Sequence, residues 1–240
     1  MSQSTAMSTT AGFEVIPFTD ECRTIWDHGE HLLIGVSPGN SYFTHQRIRE
    51  LASWADRRFS AIDIVYADLH IDAMFAAFGY TAEHAGKRAS KELKAVRRRI
   101  LRGVDEAGPL TARLRVRGLS EFTGDPQYRR LHAEAEAALE HDDEFGAACE
   151  EMVRQFLAPK IGESAEITDG QRGACLRYIA AELPFFVDTP AIVNAESSVS
   201  SYHAEMPLTK VLFARGSGFR ATANQAYAVI RPHQEEENHR

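Results

Sequence analysis

An α/β fold with a largely parallel central sheet is predicted by two short apolar runs that flank a helical pattern. The runs are HLLIGV at 31–36 and AIDIVYA at 61–67, and the first ends at the turn-forming residues SPGN. A strand, a helix and a second strand in succession imply a parallel pair. Because strands and amphipathic helices keep alternating without a fixed-period repeat, the pattern favours one doubly wound, Rossmann-like domain flanked by helices.

The remaining elements follow from local periodicity. Apolar residues at helical spacing predict the helices, and alternation or a short apolar run predicts the strands. In chain order these are helix 44–57, helix 81–105, strand 113–117, helices within 125–157 and 169–183, and strand 226–230. The Gly-x-Gly-x-x-Gly fingerprint of dinucleotide binding is missing.

Length and composition predict a single globular domain. The 240 residues include 44% hydrophobic and 25% charged residues, which suits one catalytic domain over 13–232 between polar ends at 1–12 and 233–240. No apolar stretch approaches the roughly 18 residues of a membrane helix, and the start lacks a secretory signal, so we expect no membrane contact and a cytoplasmic protein. Three cysteines without a CxxC pair predict neither a disulfide framework nor a zinc site.

Charge is strongly segregated although the net charge is −7. Eight basic residues and a single acid lie between Lys87 and Arg102. At helical spacing most of the basic residues share one face, which predicts contact with a nucleic-acid phosphate backbone, while a solvated surface helix is the plainer alternative. Few aromatic residues interleave with them, so we expect backbone contacts and not stacked bases. The predicted contact residues are Lys87, Lys91, Lys94, Arg97, Arg98, Arg99 and Arg102.

Ser37 is the candidate nucleophile, because it follows the first strong strand, where doubly wound sheets gather ligands. Capping of the next helix is the alternative role for this serine. The segment GVSPG also fits the Gly-x-Ser-x-Gly elbow of serine hydrolases, with Asp188 and His203 in the required chain order. That fold places several strands before its elbow, whereas only 36 residues precede Ser37.

Tyr178 and Glu182 lie four residues apart on a predicted helix, so both side chains share a face and could hold an ammonium group or move a proton. A surface hydrogen bond is the plainer alternative. Asp68, His70 and Asp72 alternate as metal ligands might, but they fall where a strand passes into a helix, and turn chemistry accounts for them. We expect no metal.

Several separated segments resemble the cyclodipeptide synthases. They are HLLIGVSPGNSYF, LKAVRRR, RYIAAELPFF, SSVSSYH and FRATANQAYAVIRP, and the likeness covers about 29–232. The resemblance implies a fold similar to the catalytic domain of class I tyrosyl- and tryptophanyl-tRNA synthetases, used without any cofactor. It also implies that two aminoacyl-tRNAs are the substrates and a cyclic dipeptide (a 2,5-diketopiperazine) is the product.

By the same resemblance, Ser37 accepts the first aminoacyl group, Tyr178 and Glu182 hold its amino group, and Tyr202 assists proton transfer. Asn40, Tyr202 and His203 resemble the marker residues of the Asn-Tyr-His subfamily. The other expected substrate-binding positions are Gly35, Tyr128, Val65, Leu119, Met152, Phe185 and Ser200, a mostly apolar set interrupted by one hydroxyl.

The sequence names neither the two amino acids nor the downstream tailoring enzyme that would take the product. We expect a monomer, because no spare apolar face is evident. A tRNA-binding protein that has lost its chemistry is the non-catalytic alternative, and it would make Ser37 dispensable.

Overall fold

A computed structural model describes residues 12–162 and 165–233, and within them a six-stranded sheet has the order β1-β6-β5-β2-β3-β4. Five strands run parallel, and β1 pairs antiparallel with β6 at one edge. The predicted Rossmann-like α/β class, with helices on both faces of the sheet, is confirmed. Within the same residues no helix is long and apolar enough to cross a membrane.

The elements have the following bounds. The strands are β1 (Phe13–Pro17), β2 (His31–Val36), β3 (Ala61–Tyr66), β4 (Arg113–Gly118), β5 (Ser198–Tyr202) and β6 (Gln225–Pro232). The helices are α1 (Asp20–His28), α2 (His45–Ala55), α3 (Ile71–Ala77), α4 (Ala82–Ala107), α5 (Pro126–His141), α6 (Asp143–Ile161), α7 (Asp169–Glu182), α8 (Pro184–Val187), α9 (Thr189–Val193) and α10 (Pro207–Phe213). A 3-10 helix at Leu119–Phe122 follows β4.

Each face of the sheet packs against its own hydrophobic core. Leu32 and Ile34 of β2 face the core formed with α1, α2 and α4, whereas Leu33 between them faces the core formed with α5 to α10. This alternation is the period of two that a strand imposes. Because both faces are covered, the central strands β2 and β3 are apolar, and the sequence signal for them is strong.

Two strands were not predicted from the sequence. The strand β5 is SVSSY, whose three serine hydroxyls would normally indicate a loop. In the fold each hydroxyl is hydrogen-bonded: Ser198 to His31, Ser200 to the Phe185 carbonyl and Ser201 to the Leu33 carbonyl. The short edge strand β1 ends at a proline. Both strands owe their place to pairing with distant segments.

The helical region predicted over 125–157 is interrupted at Asp142. This residue ends α5 with extended backbone angles, and its side chain then accepts the N–H of Phe145 as the cap of α6. Arg215 pairs with the same carboxylate at 2.5 Å. Capping therefore separates the region into two helices, and α6 runs on to Ile161.

A charged network centred on Asp63 lies on the face of the sheet that α5 to α10 cover. Asp63 is fully buried, and its carboxylate contacts His31 at 3.0 Å and Arg115 at 2.5 and 2.9 Å. Arg117 adds a contact at 3.1 Å. Burial raises the pKa of Asp63, but the hydrogen bonds and cations around it prevail and hold that pKa at about 2. The carboxylate ties β2, β3 and β4 together.

Candidate active site

A cavity of about 460 Å³ opens at the carboxyl ends of β2, β3 and β5. Strand residues form its floor, and α6, α7 and α8 supply walls. Eleven of the thirteen residues predicted as catalytic or substrate-binding line it: Gly35, Ser37, Asn40, Val65, Leu119, Met152, Tyr178, Glu182, Phe185, Ser200 and Tyr202. Tyr128 and His203 are the two that do not. The fold therefore gathers residues that are up to 167 positions apart in the chain.

Ser37 enters the cavity directly after β2. The Asn40 N–H donates to the Ser37 carbonyl at 3.3 Å, which closes a tight turn. Gly39 in this turn has a φ of 75°, a conformation that favours glycine. The cap of α2 is Thr44, whose hydroxyl accepts the Arg47 N–H at 3.0 Å. The capping role considered for Ser37 is therefore wrong.

Two tyrosines from different elements line the cavity with Ser37. Tyr178 comes from α7 and Tyr202 from the end of β5. Burial raises the pKa of both phenols, and the nearby Ser37 hydroxyl opposes that shift only in part. Both phenols are therefore protonated near neutral pH, so they can orient the serine and exchange protons with it through hydrogen bonds.

Glu182 lies one helical turn beyond Tyr178 and lines the same cavity. Burial raises the pKa of Glu182 to about 7, against the opposing effect of the neighbouring Tyr178 phenol. The side chain retains some accessible surface because it faces the cavity. A carboxyl group with a pKa near neutrality can hold an ammonium group as a carboxylate or take a proton from it.

Cys175 is another nucleophilic side chain in the cavity lining. Burial raises the pKa of its thiol to about 11, and Lys160 offsets this effect only in part. The reactive thiolate is therefore scarce at neutral pH. Ser37 remains the nucleophile that the geometry favours.

Asn40, Tyr202 and His203 form one hydrogen-bonded group at the mouth of the cavity. The Asn40 amide donates to the Tyr202 phenol at 2.9 Å, and its nitrogen lies 3.2 Å from His203 Nε2. The His203 ring stacks on Tyr42 at a centroid distance of 4.2 Å. Burial, followed by the charge of Arg231, lowers the pKa of His203. This group holds the Tyr202 phenol toward Ser37.

The residues needed for a hydrolase triad are not assembled. Asp188 accepts the Ala191 N–H at 3.2 Å and caps α9. In the described parts of the chain no hydrogen bond joins Asp188 to His203, or His203 to Ser37. The Gly-x-Ser-x-Gly match is therefore a turn without its catalytic partners.

An apolar pocket lies below Ser37, formed by Val65, Leu119, Met152 and Phe185. Ser200 interrupts it in sequence, but its hydroxyl donates to the Phe185 carbonyl at 2.7 Å. The same hydroxyl accepts a bond from Gln225 Nε2 at 3.0 Å. Since this hydroxyl is occupied by the protein, the pocket presents a mainly apolar surface to a side chain.

Gln225 is a site-supporting residue that sequence reasoning missed. It is 3% exposed, and its carbonyl accepts the Thr189 N–H at 2.7 Å while its amide donates to Ser200. Thr189 in turn donates to the Phe185 carbonyl. The backbone that carries Phe185 is thus fastened to β5 and β6. A glutamine at a strand start carries no sequence signal for such a role.

Tyr128 lies behind the cavity wall. Its phenol is buried and donates to the Ala181 carbonyl at 2.9 Å, immediately before Glu182. Burial, followed by the negative charge of Glu182, raises its pKa. The ring also packs near Phe185, with a centroid distance of 6.1 Å. Tyr128 therefore supports the end of α7 from outside the cavity.

No metal site is formed by the residues that alternate after β3. Asp68 accepts two bonds from Ser120, each at 2.7 Å, and Asp72 accepts the N–H of the residue that follows it. Across 12–162 and 165–233 no group of three or more His, Cys, Asp or Glu side chains could hold a metal ion.

The basic helix α4 lies beside the loop that carries Ser37. A carboxylate oxygen of Glu92 lies 4.0 Å from the position a Cβ on Gly39 would take. Lys91, Lys94 and Arg98 are exposed on the outer surface of α4, and among the described residues no carboxylate pairs with them. We call these three residues, together with Lys87, the basic face.

Four of the predicted RNA contacts are partly engaged within the protein. Lys87 pairs with Glu83, and Arg102 pairs with Glu106. Burial raises the pKa of the Tyr66 phenol, and the nearby Arg97 opposes that shift. Arg99 is half-buried, and its Nε is buried without a hydrogen-bond partner among the described residues. Contact of these residues with phosphate stays a prediction.

Comparisons with known proteins agree with this geometry. The family model for cyclodipeptide synthase matches residues 13–232. The cyclo(L-tyrosyl-L-tyrosyl) synthase of Mycobacterium tuberculosis is 44% identical over 221 residues, which cover 92% of this chain and 76% of that protein. The cyclo(L-leucyl-L-phenylalanyl) synthase of Streptomyces noursei is 42% identical over 213 residues, or 89% of each chain.

A solved structure extends the agreement to three dimensions. A Mycobacterium tuberculosis protein, described as demonstrating that cyclodipeptide synthetases are related to type I tRNA synthetases, superimposes with a TM-score of 0.85 and 43% identity. The match covers 94% of this chain and 96% of that one. With a family match over almost the whole described chain and a nucleophile, two phenols and a carboxyl group gathered at the sheet's ligand-binding edge, this chain belongs to the cyclodipeptide synthases, which are tRNA-dependent aminoacyltransferases.

Proposed function

We propose that this chain joins two aminoacyl groups, each delivered as a tRNA ester, into a cyclic dipeptide by covalent catalysis on Ser37. The observation that carries the proposal is that Ser37 shares a mainly apolar cavity with Tyr178, Tyr202 and Glu182, and that both phenols are influenced by the Ser37 hydroxyl. Covalent catalysis divides a difficult condensation into easier transfers. The substrates arrive already activated as esters, so the chemistry needs no nucleotide cofactor.

In the first transfer, the Ser37 oxygen attacks the ester carbonyl of the first aminoacyl-tRNA. The bond from that carbonyl to the ribose oxygen breaks, and the tRNA hydroxyl leaves with the proton that Ser37 gave up. Tyr202, which lines the cavity with Ser37 and is held by Asn40, is the group best supported for passing that proton. Tyr178 and Glu182 hold the amino group of the acyl moiety.

In the second transfer, the amine of the aminoacyl-Ser37 ester attacks the second aminoacyl-tRNA and releases its tRNA. Glu182 has a pKa of about 7, so its carboxylate can accept the proton that the ammonium must lose to become a nucleophile. The new terminal amine then attacks the serine ester, closes the six-membered ring and frees Ser37. Both ends of a short dipeptide are held together, so effective molarity is high.

The first amino acid is best matched to an apolar side chain. Val65, Leu119, Met152 and Phe185 supply the lining, and the Ser200 hydroxyl is engaged by the protein. The two relatives above are named for tyrosyl, leucyl and phenylalanyl products. We therefore propose an aromatic or large aliphatic first substrate.

We assign tRNA docking to the basic face. This face lies on α4, which runs beside the loop that carries Ser37. Cations on one surface suit a polyanion, and binding of this kind weakens with salt. The catalytic domain spans 13–232, and Asn40, Tyr202 and His203 support membership of the Asn-Tyr-His subfamily. Monomeric state, cytoplasmic location and a downstream tailoring enzyme remain predictions.

The test is expression in a bacterial host with mass spectrometry of the medium for diketopiperazines. Wild-type protein should release cyclic dipeptides whose masses identify both amino acids, and Ser37→Ala should release none. Ser217→Ala, at an exposed loop position, is the matched control and should match wild type. Soluble Ser37→Ala protein that still makes product would overturn covalent catalysis. Soluble wild type without product would favour a tRNA binder that lacks the chemistry.

A further inference from the structure

An arginine held between two aromatic rings lies next to the basic face. The Arg88 guanidinium is 5.2 Å from the centroid of Phe75 and 4.9 Å from that of Tyr80. The two rings meet edge to face, with centroids 5.8 Å apart. We call Phe75, Tyr80 and Arg88 the aromatic–arginine cluster. The rings come from α3 and the turn after it, so the sequence of α4 does not reveal them.

The cluster is rigid and open to solvent at once. The Tyr80 N–H donates to the Phe75 carbonyl at 3.3 Å, and Gly79 permits this turn with a φ of 89°. Tyr80 is nevertheless 39% exposed, one of the few large apolar side chains so exposed in the described chain. Within 12–162 and 165–233, Arg88 has no carboxylate partner. Its charge is thus offset only by the two rings.

The aromatic–arginine cluster lies near both parts of the proposed tRNA site, the basic face and the catalytic cavity. Arg88 adjoins Lys87 and lies one turn before Lys91, so it continues the basic face. Met74, immediately before Phe75 on α3, lines the catalytic cavity. A single helix, about 10 Å across, therefore separates the cluster from the cavity. The cluster therefore adjoins both the basic face and a helix that lines the catalytic cavity.

Planar aromatic and guanidinium surfaces bind nucleic acids by stacking. Unpaired bases stack on tyrosine rings and arginine planes, and every base offers such a surface. From this chemistry and placement, and resting on the proposed tRNA-dependent function, we infer that the aromatic–arginine cluster stacks an unpaired base near the acylated 3′ end of the tRNA. This contact differs in kind from those of the basic face, which bind phosphate.

The difference in kind provides the experiment. Binding of an uncharged elongator tRNA transcript is measured by fluorescence anisotropy at several salt concentrations. Tyr80→Leu should weaken binding about tenfold and leave the salt dependence unchanged, because stacking releases no counterions. Tyr80→Phe should bind like wild type, since it keeps the ring. Lys91→Gln, the phosphate control, should lower the slope of log affinity against log salt by about one.

Further comparisons separate the outcomes. Arg88→Lys keeps the charge but loses the planar group, and it should weaken binding as Tyr80→Leu does. A transcript without its unpaired 3′ end should bind wild type and Tyr80→Leu equally. Equal affinities of wild type and Tyr80→Leu for the full transcript would overturn the inference. If Tyr80→Leu bound the shortened transcript as much more weakly than wild type as it binds the full one, the assignment to the 3′ end would be overturned. Failure of wild type to bind tRNA would instead overturn the proposed function.

Discussion

Replacement of Glu182 by glutamine should make the protein more stable at alkaline pH while lowering its activity. In the fold, burial raises the pKa of Glu182 from 4.5 to about 7. Each tenfold change in proton affinity is about 1.4 kcal/mol, so the raised pKa corresponds to about 3 kcal/mol. The sign follows from the raised value: the stability contributed by the protonated acid is fully present below pH 4.5 and is lost as pH rises through 7.

A neutral glutamine avoids that loss. For a chain of this length, about 3 kcal/mol corresponds to a rise in Tm of roughly 6–12 °C at pH 8. The assay is thermal unfolding of both proteins between pH 5 and 8, with product formation measured in parallel. Product should fall roughly 10- to 100-fold, the cost of a lost charged hydrogen bond to the substrate amine.

Glu140→Gln is the matched control, because Glu140 is exposed and forms no ion pair within the described residues. Its Tm should follow that of wild type at every pH. If the Tm of Glu182→Gln differs from that of wild type by the same amount at pH 5 and pH 8, the claim that burial raises the pKa of Glu182 is refuted. A stabilised variant with full activity would support the raised pKa of Glu182 but contradict its role in the reaction.

Other perturbations address the supporting structure. Gln225→Leu should lose the hydrogen bonds to Ser200 and to the Thr189 N–H, which should lower the free energy of unfolding by about 1–3 kcal/mol. It should also change the ratio of cyclic dipeptides measured by mass spectrometry, and an unchanged ratio would show that Gln225 does not affect specificity. Asp63→Asn removes the charge of a fully buried carboxylate that pairs with the half-buried Arg115, and it should cost about 3–5 kcal/mol in urea unfolding, with a smaller cost counting against the network. Tyr128→Phe should lose about 1 kcal/mol of stability and some activity, because its bond steadies the helix just before Glu182; full activity would limit it to packing.

The elements found from sequence are those whose own residues carry the signal. The apolar runs at His31–Val36 and Ala61–Tyr66 and the two-faced helix α4 follow from burial and periodicity within a few turns of chain. The strand β5 could not be found in this way, because its serine hydroxyls are hydrogen-bonded to partners far away in sequence, such as His31 and the Leu33 carbonyl.

The same division holds for the site. The resemblance to the cyclodipeptide synthases provided the residues that line the cavity, since a loop serine or an i, i+4 pair alone leaves capping and surface hydrogen bonds open. Sequence did not provide the roles of Ser200 and Gln225, because it does not distinguish a hydroxyl that contacts a substrate from one that bonds a backbone carbonyl. It also did not show that Arg99, beside the exposed basic residues, is half-buried.

The sequence by itself determined the α/β class, the main alternation of strands and helices, the basic character of α4 and, through separated motifs, the family. Those properties depend on periodicity, charge and residue type along short stretches of chain. Only the tertiary structure decided that two phenols share a cavity with Ser37, that Glu182 is desolvated until its pKa is about 7, and that aromatic rings reach Arg88. These depend on contacts between distant segments, and distance, burial and dielectric exist only once those segments pack together.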